Sequence, residues 1–142
     1  LFWVPDIFVC NGWQSALIPT IYKAEYEGIS EFYNDIKTVL IIHDLDEYSA
    51  ASKSELLNIG IKIPSKLKGK NLNLYDIASY SADAILIVDK PGAKISSKLL
   101  KKTAFKDNKH KLSIFEQKDL ENIDYNTVTK SLNEIISKLT SK

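Results

Sequence analysis

An α/β fold built on a parallel sheet is predicted for this 142-residue chain by three observations. Two short runs, Lys37 to His43 (KTVLIIH) and Asp83 to Asp89 (DAILIVD), are apolar at consecutive positions, as strands buried on both faces are. The segments around them carry apolar residues at helical spacing. Strand and helix signals also alternate along the chain, which implies βαβ units, right-handed crossovers and a doubly wound parallel sheet. Residues 1–142 are expected to form one such domain, or the C-terminal part of one whose upstream portion lies elsewhere, with no second domain.

The elements follow in order. Asp6 to Cys10 reads as a short buried strand after Pro5, broken by Gly12. Trp13, Ala16, Leu17, Ile21 and Ala24 recur at helical spacing, with a kink expected at Pro19, which has no N–H for the helix ladder. Residues 27–34 are polar, contain Gly28 and read as a loop or short turn. After the strand at Lys37 to His43, residues 49–70 are ambiguous: a short helix around Ser54 to Asn58, then a lysine-rich loop with Gly60, Pro64 and Gly69. Leu74 to Ser81 reads as a helix, Asp83 to Asp89 as the second buried strand closed by Pro91 and Gly92, and Ala93 to Lys102 as another helix. Leu112 to Phe115 is a last short strand. Val128, Leu132, Ile135, Ile136 and Leu139 then mark an amphipathic helix.

Composition narrows the function classes. The apolar fraction of 44% and the charged fraction of 26% are those of a globular domain. A net charge of +1 gives no reason to expect nucleic acid or an anionic membrane as partner. Every basic residue is lysine, so arginine's bidentate capture of phosphate is absent from this chain. One cysteine, Cys10, permits no internal disulfide and suits a reducing, cytoplasmic setting. No apolar run approaches the roughly 20 residues that span a bilayer. The start, Leu1 to Pro5, has no basic region ahead of an apolar core and reads as the continuation of a longer chain rather than a leader.

In a parallel sheet, ligands bind beyond the carboxyl ends of the strands. Three loops therefore share the expected rim: Asn11, Gly12, Trp13 and Gln14; His43, Asp44, Asp46 and Glu47; and Asp89 and Lys90. Asn11 and Gly12 stand where a strand turns into a helix, which suits either ligand contact or a helix cap. Trp13 suits a sugar-stacking ring or a core residue. His43 suits a general base or a structural histidine. Asp44, Asp46 and Glu47 suit an oxygen-ligand cation site or a solvated loop, and no metal is assigned to them. The same run, Val39 to Asp46, contains the Asp-x-Asp pattern of aspartate-nucleophile phosphatases, but Tyr48 stands where that motif has Thr or Val. The lysines at 66, 68 and 70, and at 98, 101 and 102, read as solvated faces. Glycine-rich dinucleotide and P-loop motifs are missing.

The stretch Trp3 to Pro19 (WVPDIFVCNGWQSALIP) resembles the W-x-P-D-(I/V)-x-x-x-x-D-W-x-x-(A/G)-L-x-P segment of glycogen and starch synthases. Lys37 to Leu45 is similar to their (K/R)-x-x-x-x-(I/V)-H-N-(L/I) strand, and residues 55–58, 69–73 and 76–88 are similar to the stretches that follow, in the same order, to about Ile95. A further likeness is to short single-domain synthase-like proteins of Bacteroidetes. The resemblance implies the N-terminal, Rossmann-like domain of a GT-B glycosyltransferase, which supplies mainly acceptor-side contacts. It implies glucosyl transfer from ADP-glucose or UDP-glucose to an α-1,4-glucan or maltooligosaccharide, with no cofactor beyond the nucleotide-sugar donor.

The chain departs from the family at the rim. The bacterial family's active-site His falls at Asn11, where plant members also have Asn; the Asp before Trp is Gly12; the Asn after the strand His is Asp44. The family's A-Y-Q-G becomes Asp46, Glu47, Tyr48 and Ser49, and its valine-serine-proline becomes Val88, Asp89, Lys90 and Pro91. The family's lysine-Gly-Gly loop is not among these residues. Two functions follow: a synthase-type glucosyltransferase domain that works with a partner or other subunit supplying the donor half, or a degenerate glucan-binding or protein-interaction module that keeps the fold.

Overall fold

The computed structural model describes residues 3–119, 121, 122 and 124–141; the first two residues, read above as the continuation of a longer chain, lie outside it. The described strands are β1 (Ile7–Asn11), β2 (Lys37–Ile42), β3 (Ala50–Ser52), β4 (Asn71–Asn73), β5 (Ala84–Asp89) and β6 (Leu112–Glu116). Four of them form the main sheet in the order β1-β2-β5-β6, every pair parallel. The helices are α1 (Ile18–Ile21), α2 (Lys53–Asn58), α3 (Leu74–Ser81), α4 (Ile95–Leu99), α5 (Thr103–Asp107) and α6 (Tyr125–Thr140).

The apolar runs in β2 and β5 are there because these two strands are central and covered on both sides. Alternate residues serve different cores. Leu40, Ile42, Ile85 and Ile87 join Tyr75, Ile77, Leu99 and Phe105 on one face. Val39 and Leu86 join Ala84 and Ile135 on the other, with Ile7, Ile41, Val88, Phe115, Leu132 and Leu139 packed around them. Each Leu or Ile buried this way contributes about 1.5–3 kcal/mol relative to exposure. The strands are laid down in sequence across the sheet, so right-handed crossovers all run in one direction and send their helices to the first face. The second face is roofed by α6, whose apolar stripe at Val128, Leu132, Ile135, Ile136 and Leu139 was legible in the sequence.

Three elements differ from expectation. The helix expected from Trp13 to Ala24 is instead three pieces: a single 3-10 turn (Trp13–Ser15), α1, and a wide π-type turn (Tyr22–Tyr26). Pro19 makes no kink, because it lies in the first turn of α1, where the missing N–H has no helical partner to lose. Residues 49–70 begin with a short strand, β3, that pairs antiparallel with β4 just beyond them, and α2 is opened by a capping box in which Ser52 and Glu55 exchange bonds. The helix expected over residues 93–102 ends at Leu99, and α5 follows as a separate element carrying the fully buried Phe105.

At the amino ends of the strands, one carboxylate ties three elements together. Asp83 accepts from the Thr38 backbone N–H (2.7 Å), the Thr38 hydroxyl (2.9 Å) and Lys23 Nζ (2.7 Å). At the opposite end, Cys10 is buried at the close of β1, and burial pushes its thiol up to about 11, well away from nucleophilic use at neutral pH.

Candidate functional site

The parallel sheet places the carboxyl ends of β1, β2 and β5 on one edge, as the sequence predicts. Asn11 pairs with Ile41 in register, so the loops after β1 and β2 leave the sheet side by side. The Gly12 N–H donates to the Ile41 carbonyl at 3.0 Å, which extends the ladder one residue past β1.

Gly12 is the hinge of this turn. Its φ of 76° and ψ of 177° lie in a region open essentially to glycine alone. A Cβ there would meet Gln14 Oε1 at 2.9 Å and His43 Nε2 at 3.2 Å. A side chain at this position would be strained by the backbone and would require Gln14 and His43 to shift. Gly12 is also the N-cap of the 3-10 turn, and no side chain caps it, so Asn11 is not spent as a cap. The Asn11 carbonyl accepts from the Ser15 hydroxyl at 3.0 Å, while the residue itself is exposed, as is Gln14.

His43 and Asp44 continue from β2 onto the rim, both partly exposed. His43 Nδ1 lies 3.2 Å from Asp44 Oδ2. The other carboxylate oxygen of Asp44 accepts from the Tyr75 hydroxyl at 3.1 Å. Tyr75 is fully buried in α3, so it supports the pair from beneath. Burial pushes the Tyr75 phenol well above its ordinary value, and the Asp44 and Asp46 charges add to this, while a bond from the Trp13 backbone opposes it. Tyr75 remains a neutral hydrogen-bond donor throughout the physiological range. It was missed in the sequence, where Leu74 to Ser81 read only as a helix.

The acidic cluster is divided among separate tasks. Asp44 faces His43 and Tyr75, and Asp46 caps the turn Glu47–Ser49 by accepting from the Tyr48 N–H at 2.9 Å. Among the described residues no group of His, Cys, Asp and Glu is arranged to hold a metal ion.

Asp89 and Lys90 share the edge but are engaged differently. The Asp89 carboxylate accepts from the Ile95 N–H (2.8 Å), the Ser96 N–H (3.1 Å) and the Ser96 hydroxyl, and so anchors the start of α4. Burial raises its pKa, but these donors outweigh burial and hold the carboxyl below the usual carboxylate range. Lys90 is exposed. It lines a shallow cleft with Gly92, Lys94, Glu116 and Gln117, between the ends of β5 and β6. The residues brought together are thus Gly12, Gln14, His43 and Asp44, backed by Tyr75, with Asn11 exposed at the end of the same strand. The lysines read as solvated faces are largely that, although Lys66 pairs with Asp107 at 2.8 Å and Lys102 with Asp76 at 3.0 Å.

Comparison with known proteins places the chain in a family. A family model described as the starch synthase catalytic domain matches residues 1–98. The glycogen synthase of Clostridium perfringens is 35% identical over 91 residues, which cover 62% of this chain and 18% of that protein. The glycogen synthase of Caldicellulosiruptor bescii is 34% identical over 86 residues, covering 60% of this chain and 18% of that protein. That of Pelodictyon phaeoclathratiforme is 49% identical over 45 residues, covering 32% and 9%. The chain therefore spans less than a fifth of the length of these relatives. The matched region runs from before β1 into α4 and contains Asn11, Gly12, Trp13, Gln14, His43, Asp44, Asp89 and Lys90. This chain belongs to the starch synthase catalytic domain family.

Proposed function

We propose that this chain is the acceptor-binding portion of a synthase-type glucosyltransferase, holding the end of an α-1,4-glucan at the rim formed by Asn11, Gly12, Gln14, His43 and Asp44. The observation that carries the reading is the convergence of the β1 and β2 loops in a chain of this family: the His43 ring lies beside the Gly12 turn, and Asp44, itself bonded by Tyr75, holds that ring from the other side. The His43 ring stays partly exposed at the rim, where a sugar hydroxyl can hydrogen-bond to it while the Asp44 carboxylate orients the ring. Asn11 and Gln14 add exposed carboxamides, each offering both donors and acceptors, which suit the paired hydroxyls of a pyranose. The donor, ADP-glucose or UDP-glucose, is held by a segment or subunit outside these residues, consistent with a chain that has no arginine. Transfer then requires both halves to close on the acceptor and exclude water. The setting we infer is cytoplasmic; among the described residues no helix is long and apolar enough to cross a membrane.

A second reading keeps the glucan and gives up the chemistry. It is favoured by Asp89, whose carboxylate is committed to α4, and by Gly12, whose positive φ disfavours an acid at this position. Calorimetric titration separates these readings from a bare fold. Maltohexaose is expected to bind saturably and more tightly than cellohexaose, and equal or absent binding of the two contradicts both. With the donor-holding segment or subunit supplied, nucleotide release from ADP-glucose or UDP-glucose in the presence of maltohexaose, slowed by Asn11→Ala, then selects the first reading. Binding without release under that same condition selects the second.

A further inference from the structure

The rim carries an aromatic pair that the sequence does not reveal as a unit. The 3-10 turns Trp13–Ser15 and Glu47–Ser49 follow β1 and β2 and pack against each other. They bring the Trp13 and Tyr48 rings to a centroid separation of 6.4 Å, with 35° between their planes. Trp13 is half-buried against the core, whereas Tyr48 is 66% exposed. The loop that displays Tyr48 is fixed from below. Asp46 caps it, the Ser49 hydroxyl donates to the Asp46 carbonyl at 2.6 Å, and the Asn73 amide donates to Ser49 Oγ at 2.8 Å. Ser49 itself is buried, at 1% exposure. The phenol is thus held on a rigid turn with its indole neighbour behind it, so little ordering cost attends binding on its open face.

A pyranose ring matches this surface chemically. Its C–H face is weakly positive and apolar, and the face of an aromatic ring is weakly negative. Its equatorial hydroxyls would then reach outward to the polar groups on the same two loops, Gln14, His43 and Asp44. We propose that Tyr48, backed by Trp13, is the stacking platform that seats one glucosyl unit of the acceptor beside His43 and Asp44. This rests on the proposed glucan-binding reading and adds to it a residue and a contact.

The test is a maltohexaose titration followed by tryptophan fluorescence in a Trp3→Phe background, which leaves Trp13 as the reporter. The parent should show a saturable change. Tyr48→Ala should weaken binding about tenfold or more, and Tyr48→Phe should stay within about twofold, because the ring face and not the hydroxyl makes the contact. Tyr48→Ala is expected to fold, its side chain being largely in solvent, and an unchanged circular dichroism spectrum and melting temperature verify this. Tyr48→Ala binding as tightly as the parent, or Tyr48→Phe losing as much as Tyr48→Ala, overturns the platform while leaving the glucan reading intact. A parent that calorimetry shows does not bind maltohexaose overturns the glucan reading and the platform with it.

Discussion

Replacing Asp83 by alanine is expected to lower the unfolding free energy by about 3 kcal/mol at neutral pH. One carboxylate there holds the start of β2 through both the N–H and hydroxyl of Thr38, and holds the chain after α1 through Lys23. Thr38 is fully buried, so truncation leaves its backbone N–H without a partner and out of reach of water. The effect depends on pH, and its sign follows from the charge state. Burial works to raise the Asp83 pKa, but the Lys23 ammonium and the Thr38 donors outweigh it and leave the folded value below the ordinary 3.8. The folded state therefore favours the ionised acid. The stability this contributes is fully present above the unfolded value and is lost as the pH falls through 3.8 and then through the folded value. Urea midpoints measured from neutral pH down through this window should show wild type losing stability faster than Asp83→Ala, with the two curves converging in acid. Parallel curves would show that the carboxylate is not ionised and bonded as described.

Phe105→Ala should cost more, about 3–5 kcal/mol. The ring is fully buried and lies in the larger core with Tyr75, Ile77 and Leu99, under the face that carries the crossover helices. Removing it leaves a cavity enclosed by helix and sheet, which can collapse only in part. Ile114→Ala is the control: Ile114 stands on an edge strand and is 45% exposed, so its loss should change stability by no more than about 0.5 kcal/mol. Urea denaturation checks both, with an unchanged m-value for each variant. Equal small losses at the two positions would mean that α5 is not packed onto the sheet.

The contrast between α5 and α6 shows what the sequence disclosed and why. The long helix α6 has room for several repeats of its apolar stripe, so its period was unmistakable. In α5 there are five residues, and the lysines at 101 and 102 beside it read as one solvated face, which hid Phe105. The strands β2 and β5 were plain because burial on both faces leaves continuous apolar runs, whereas β3 and β4, with three residues each, owe their existence to each other and leave no local pattern. The same logic governs the rim. His43, Asp44, Asn11 and Gly12 were legible because parallel topology places strand ends together. Tyr75 and Tyr48 were not, because their roles come from contacts between loops that are distant in sequence: a hydroxyl reaching Asp44 from another helix, and a phenol meeting Trp13 across two turns. Asp89 was correctly placed on the edge, but its engagement by the first turn of α4 depends on a backbone that no motif encodes.

If the loops after β1 and β2 form one glucan-binding rim, a backbone-amide NMR titration of the chain with maltohexaose will show it. The largest shifts should fall on Gly12, Trp13, Asp44 and Tyr48, with the exposed face of α6 around Asn133 and Glu134 unchanged. Shifts centred on α6, or on the apolar groove lined by Ile18, Ile21, Tyr26 and Tyr33, would contradict it.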